Sequence, residues 1–150
     1  YKRQEWERDF GASMWDVGSS VIEVEGGGGF LIAGYSNSPG ISSGNTDMYL
    51  IKIDTNGNLL WDKAYGNPLA PNHEWAYDLY QLPDEGFIVV GSRDRYNTES
   101  RNILIINIDE KRTVRWEKEL KANDYVLDIA SNDATLLNFY NKNLQFYFCS

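Results

Sequence analysis

The sequence predicts an all-β protein built from repeated units, and three observations support this prediction. Tryptophans recur about 55 residues apart, at Trp6, Trp61 and Trp116. Two segments share one pattern of glycine, phenylalanine and apolar residues, GFLIAG at 29–34 and GFIVVG at 86–91. Short groups of Gly, Pro, Asn and Asp separate the apolar runs, as is typical of tight β connections. Landmarks that keep both their order and their spacing indicate duplicated structural units.

Each unit is predicted to contain four short antiparallel strands. In the first unit these are SVIEV at 20–24, FLIAG at 30–34, DMYLIKID at 47–54 and the segment that contains Trp61. The second and third strands are near-continuous apolar runs, a pattern typical of strands buried on both faces. A sheet stacked between two neighbouring sheets needs such strands. Repeats of this length with four antiparallel strands are characteristic of β-propeller blades.

The predicted fold class is therefore all-β, with three four-stranded β-propeller blades of about 55 residues each. Residues 1–150 are predicted to form one repeat domain, with an outer strand at 5–10, a blade at 20–66, a blade at 77–121 and a degenerate partial blade at 126–150. Closed propellers ordinarily have four to eight blades, so we expect an incomplete propeller or part of an assembly. Two chains that exchange their first strands would complete a six-bladed ring, and a longer propeller is the alternative.

The segment DTNGNLLW at 54–61 predicts a hairpin that leads to the fourth strand. Asn-Gly at 56–57 favours a type I′ turn, since both central residues of that turn need a positive φ. Asp54 and its counterpart Asp109 are expected to cap their turns through local hydrogen bonds. The three repeated tryptophans are expected to fill the gaps between adjacent sheets.

Composition excludes several classes of partner. The chain carries 22 acidic and 14 basic side chains, a net charge of −8, and such a surface repels phosphate backbones and anionic lipids. We therefore expect no nucleic-acid partner. No apolar run approaches the roughly 18 residues that span a bilayer, so direct membrane insertion is not expected. The sequence opens on Tyr1 without an initiator Met, so we expect a processed mature chain or an excised piece. Cys149 is the single cysteine, which leaves no internal disulfide.

Antiparallel order predicts where the connections lie. Those after first and third strands share one rim and are short, whereas those after second and fourth strands share the other rim and include all the long ones. Because binding residues in rigid β scaffolds concentrate on long loops, we expect the binding residues on the long-loop rim: Trp15, Asp16, His73, Trp75, Arg93 and Arg95. Alternatively, Trp15 and Trp75, which occupy similar places in successive repeats, pack between blades.

Catalysis has little support in the sequence. His73 is the sole histidine, and the serines of GISSG at 40–44 lack a nucleophile-elbow context. The glycines at 26–29 separate two strands and present no helix N-terminus to phosphate. We therefore predict no catalytic residues, no metal site and no cofactor. The alternative is an enzyme or a cofactor- or metal-binding propeller, in which a central channel collects polar side chains from the first strands: Glu23, Asp78, Tyr80 and Asp128.

The segments GFLIAGYSNS at 29–38 and DMYLIKIDTNGNLLW at 47–61 resemble the β-propeller repeats of bacterial and archaeal secreted and cell-surface proteins. The resemblance covers residues 5–109 well and 110–150 poorly. A second resemblance, through Asp54, Gly57 and Trp61, is to the tryptophan-docking motif of quinoprotein-like propellers, where the motif is structural. The first resemblance implies a non-enzymatic scaffold or recognition module of the cell surface or extracellular space that binds protein or glycan.

Overall fold

The computed structural model describes residues 6–42, 45–70, 72–96, 98 and 100–120. Within this part of the chain, strands that are consecutive in sequence are neighbours in two four-stranded antiparallel sheets. A short 3-10 turn, Glu25–Gly27, joins the first two strands. The first sheet consists of β1 (Asp16–Glu23), β2 (Phe30–Ser36), β3 (Asp47–Ile53) and β4 (Leu59–Tyr65), and the second of β5 (His73–Gln81), β6 (Phe87–Asp94), β7 (Arg101–Ile108) and β8 (Val114–Leu120).

The all-β prediction is confirmed, but the number of blades is not. The described residues form two sheets instead of three blades, and they do not close into a ring. Residues 6–10, predicted as an outer strand, form no strand. The predicted partial blade at 126–150, with Asp128 and Cys149, lies outside the described residues.

Burial of β3 on both faces confirms the interpretation of its apolar run. All seven residues of β3 are buried. Successive side chains on a strand point to opposite faces. Met48 and Leu50 therefore enter the core between the two sheets, while Tyr49 and Ile51 enter a second core on the far face of the first sheet. Trp6 and Phe10, from the chain before β1, pack on that second core.

The core between the sheets is the larger of the two. Full burial of one aliphatic or aromatic side chain contributes about 1.5 to 3 kcal/mol, so this contact is a main source of stability. β5 lies across β1, β2 and β3. The core contains Leu31, Ala33, Met48, Leu50 and Tyr65 from the first sheet and Ala76, Leu79, Phe87, Val89, Leu104, Ile106 and Ile108 from the second.

The second glycine of each repeated segment is required by a close backbone approach. The first strand of each sheet has a register irregularity opposite this glycine. A Cβ on Gly34 would lie 1.8 Å from the carbonyl oxygen of Val17, and one on Gly91 would lie 1.8 Å from that of Trp75. Since no side chain fits at this distance, the two sheets share one local constraint as well as one strand order.

The β3–β4 turn differs from the predicted type I′ turn. The Gly57 N–H donates to the Asp54 carbonyl (3.1 Å), and the Asp54 N–H donates to the Asn58 carbonyl (2.9 Å). Gly57 has a φ of 79°, but the φ of Asn56 is not positive. This is a three-residue loop with one left-handed residue at its end. The type I′ prediction was wrong because Asn-Gly can also place glycine alone in the left-handed region.

The predicted capping of these turns is confirmed. The Asp54 carboxylate accepts hydrogen bonds from the N–H groups of Asn56 and Asn58, each at 2.8 Å. The Asp109 carboxylate accepts one from the Thr113 N–H at 2.7 Å. These bonds satisfy backbone donors that the hairpin itself leaves unpaired.

Two of the repeated tryptophans lie against equivalent turns. Trp61 packs on the core between the sheets, and the Arg112 guanidinium of the β7–β8 turn lies 5.7 Å from its ring centre. Trp6 lies one repeat earlier against Gly57 of the β3–β4 turn. The gap-filling prediction is thus confirmed for Trp61. Trp116 is 47% exposed and fills no gap between the two described sheets.

We expect Gly57→Ala to destabilise the protein by about 2 to 4 kcal/mol. Its new Cβ would lie 2.7 Å from the Trp6 ring at a φ of 79°, so steric overlap adds to backbone strain. Gly40→Ala is the matched control, because Gly40 has a φ of 89° and open space around it. The control should lose only about 1 to 2 kcal/mol. Equal losses in urea unfolding of the two variants would contradict packing of Trp6 on this turn.

We expect Glu85→Gly to stabilise the protein by about 0.5 to 1 kcal/mol. Glu85 is exposed and holds a φ of 63° in the β5–β6 turn, a conformation that costs a residue with a Cβ about 1 kcal/mol or more. Glu110→Gly, at an exposed turn position without positive φ, should instead be destabilising because glycine loses more chain entropy. Thermal unfolding of both variants tests this difference in sign.

Candidate functional site

A groove opens between the two sheets at the long-loop rim. Its volume is about 330 Å³. It lies where the ends of β2 and β6 meet the starts of β5 and β7. This rim groove is lined by Trp15, Tyr35, Asn37 and Thr46 from the part of the chain before β3 and by His73, Trp75, Asp94 and Arg101 from the second sheet.

Trp75 is held in place by three neighbouring side chains. His73, two residues earlier on β5, stacks on the indole with ring centres 5.7 Å apart and planes at 25°. Tyr35 meets it edge-on at 6.5 Å. The Arg101 guanidinium lies 4.7 Å from the indole centre, a distance at which cation–π attraction is effective. Trp75 is thus a fixed wall of the rim groove.

His73 joins the two sheets through its ring. Its Nδ1 accepts a hydrogen bond from the Thr46 N–H at 3.2 Å, and the neighbouring Glu74 N–H donates to the Thr46 carbonyl at 2.7 Å. A nitrogen that accepts carries no proton, so the neutral ring has its proton on Nε2. His73 therefore offers the rim groove a donor rather than an acceptor.

Trp15 has an anchored backbone and an exposed ring. Its N–H donates to Asn37 Oδ1 at 2.9 Å, and its carbonyl accepts from the Asn37 N–H at 3.1 Å. The residue is 77% exposed. Of the two predicted rim tryptophans, Trp75 packs between the sheets and Trp15 presents its ring to solvent at the rim groove.

Asp16 lies at the same rim, but its carboxylate forms hydrogen bonds with two neighbouring loops. Its Oδ2 accepts from the Ala12 N–H at 2.8 Å and the Ser38 hydroxyl at 2.9 Å. Burial raises the pKa of Asp16, but hydrogen bonds from Ser36, Ala12 and Ser38 together outweigh it and leave the pKa below its ordinary value. Asp16 thus ties the loop before β1 to the loop after β2, and it does not line the rim groove.

Arg93 and Arg95 lie beside the rim groove in an ion-pair network. Arg93 Nε donates to Glu74 at 2.8 Å, and its Nη1 donates to Glu117 at 3.0 Å. Arg95 pairs with Glu119 at 2.6 Å. These cations are neutralised by carboxylates of β5 and β8, so the network joins the rim ends of three strands.

Burial affects the charged groups of this network differently. Glu74 is 1% exposed, and this burial raises its pKa more than the neighbouring Arg93 lowers it. Glu119 accepts from Arg95 and from Asn102. The hydrogen bond from Arg95, opposed in part by burial, lowers the pKa of Glu119 to about 2.

Sequence reasoning did not select five residues of the rim groove: Tyr35, Asn37, Thr46, Asp94 and Arg101. Arg101 ends the long connection after β6, so its loop was identified without the residue. Its Nη2 donates to the Asp94 carboxylate at 3.3 Å. The pairing could have been found from the antiparallel register of β6 and β7, in which Asp94 and Arg101 are direct partners.

The described residues considered for a central channel lie in the later halves of β1 and β5, away from the rim groove. Asp78 of β5 accepts a hydrogen bond from the Ser20 hydroxyl of β1 at 2.7 Å, so the first strands of the two sheets are adjacent. Tyr80 is 59% exposed, and Glu23 is exposed on β1. Asp128 lies outside the described residues. Within the described ranges, no group of three or more His, Cys, Asp or Glu side chains has the arrangement of a metal site.

Comparisons with known proteins do not assign a function, so the function has to be inferred from the site itself. No protein-family model matches the chain, and no curated protein is significantly similar to it in sequence. Among the described residues, no helix is long and apolar enough to span a membrane.

We expect the Arg95–Glu119 pair to make stability depend on acidity. Because the pKa of Glu119 falls from 4.5 to about 2 on folding, its contribution is complete above about pH 5 and is lost as the pH falls towards 2. Glu119→Gln should lower the unfolding free energy by about 1 to 2 kcal/mol at neutral pH, less than the pKa shift alone implies, because Arg95 is half exposed and solvent screens the pair. The unfolding free energy of Glu119→Gln should decline less between about pH 5 and 3 than that of the control variant Glu110→Gln. Parallel declines in urea titrations would contradict this assignment.

Proposed function

We propose that this chain is a non-enzymatic recognition module of β-propeller type, which binds a protein or glycan partner through the rim groove. The observation that carries the proposal is the exposed indole of Trp15 at a groove between two sheets. Trp75 forms the fixed wall of the same groove. Large, rigid aromatic side chains in a concave site are the usual anchors of binding energy.

The propeller architecture is supported by the equivalence of the two sheets. Both have four strands in sequential order, a glycine opposite a register irregularity in the first strand, and a capped β-turn between the third and fourth strands. Trp6 and Trp61 lie against this turn at an interval of one repeat. Stacking of such units around an axis forms a propeller, and closure takes four to eight of them. We infer that the two sheets belong to a larger ring, within one chain or in an assembly such as a homo-oligomer.

The extracellular or cell-surface location rests on the resemblance of the repeats to secreted propellers. The net charge of −8 is compatible with it and disfavours nucleic acid as a partner. The ion pairs beside the rim groove support recognition without catalysis, because these charged groups bind one another. Arg93 pairs with Glu74 and Glu117, and Arg95 pairs with Glu119.

We expect Trp15→Ala to weaken binding of the partner by tenfold or more, because a tryptophan that becomes buried on binding contributes about 2 kcal/mol or more. The chain would be screened against immobilised glycans and against a peptide library, with affinities measured by interferometry. Tyr80→Ala is the control, since Tyr80 is a similarly exposed aromatic at the opposite end of β5. A ligand whose binding is lost in Tyr80→Ala and retained in Trp15→Ala would place the site in the channel instead.

A further inference from the structure

The chemistry of the rim groove indicates which of the two classes of partner it fits. The inference rests on the proposed function and concerns the ligand of that same site. A volume of about 330 Å³ lies at the small end of ligand sites, whereas a stable protein interface takes about 800 Å² from each partner. The rim groove is therefore suited to one or two rings of a small ligand.

The Trp15 ring supplies an apolar platform. Its backbone is bonded on both sides to Asn37, so the ring is held at the mouth of the rim groove while 77% of the residue stays exposed. The face of an indole carries partial negative charge. A pyranose ring presents several C–H groups on one face, which carry partial positive charge and pack flat on such a surface.

The polar groups of the rim groove match hydroxyls, each of which both donates and accepts. Arg101 supplies donors and Asp94 supplies acceptors, and the two are joined by a single bond of 3.3 Å between half-exposed side chains. Exposed pairs of this kind contribute little stability. Two neighbouring hydroxyls can bridge such a pair, one donating to Asp94 and the other accepting from Arg101.

His73 and Asn37 offer donors to the same groove. Nδ1 of His73 and Oδ1 of Asn37 each already accept a hydrogen bond, from the N–H groups of Thr46 and Trp15 respectively. Their remaining polar groups, Nε2–H of His73 and the amide nitrogen of Asn37, can donate to ring or hydroxyl oxygens. Fixed backbone partners keep these donors oriented before the ligand arrives.

Charge disfavours an acidic ligand. Among the described residues that line the rim groove, Asp94 is the one carboxylate, and it repels anions; the chain as a whole has a charge of −8. The Arg101 cation is already paired with Asp94 and packed over Trp75. We propose that the rim groove binds a neutral saccharide, with one ring stacked on Trp15 and its hydroxyls bonded to Asp94, Arg101 and His73.

The test is a tryptophan-fluorescence and calorimetric titration of the full chain with three probes. These are neutral di- and trisaccharides of glucose, galactose, mannose and N-acetylglucosamine, the corresponding uronic-acid oligosaccharides, and a peptide library. Trp15→Ala and Asp94→Asn are compared with Tyr80→Ala, and circular dichroism verifies that each variant is folded. We expect at least one neutral saccharide to bind, with a loss of tenfold or more in Trp15→Ala and in Asp94→Asn and no change in Tyr80→Ala.

Other outcomes overturn the saccharide assignment in distinguishable ways. Binding of uronic acids alone, strengthened in Asp94→Asn by loss of repulsion, would make the ligand an anion. Binding of peptides alone, lost in Trp15→Ala, would overturn the saccharide and leave the recognition function in place. Saccharide binding that is unchanged in Trp15→Ala, or no binding of any probe by the folded chain, would overturn the rim groove as the site and the recognition function with it.

Discussion

Leu50 of the first sheet and Val89 of the second are both completely buried in the core between the sheets, because neither sheet alone can remove its apolar face from water. This contact between faces is the interaction on which the remaining structure depends. It requires that the middle strands be apolar on both sides, because the far face of the first sheet also packs, against Trp6 and Phe10. The complete burial of β3 follows from its position between two such contacts.

The same contact creates the rim groove. When β5 lies across the first sheet, its starting residues His73 and Trp75 come beside Tyr35 and Thr46, which are distant in sequence. The hydrogen bonds between the chain around Glu74 and Thr46 hold the two sheets together at this rim. The groove is therefore a consequence of how the sheets stack, and its aromatic wall, Trp75, contacts side chains of both sheets.

Two sets of charged residues at the rim have different consequences. Those around Arg93 are paired within the protein, and burial of Glu74 makes them part of its framework. Removing one partner of such a buried pair leaves a desolvated charge, which costs more than the pair itself contributes. The pair of Arg101 and Asp94 is exposed and loosely joined. Because exposed ion pairs contribute little stability, this second pair can contact the proposed saccharide at little cost to the fold.

The sequence alone determined the all-β class, the four strands of each of the two described sheets, the turn capping by Asp54 and Asp109 and the rim on which Trp15, His73 and Trp75 lie. These features depend on local pattern: strand period, turn chemistry and loop length act over a few residues. The turn type at Gly57 was missed because Asn-Gly fits both a two-residue type I′ turn and a three-residue loop in which only the glycine has a positive φ. Only the tertiary structure decided that Arg93 and Arg95 pair internally, that Arg101 covers Trp75 and that His73 donates rather than accepts. Each of these depends on contacts between residues from different strands or loops, whose geometry is set when the apolar faces of the two sheets pack together.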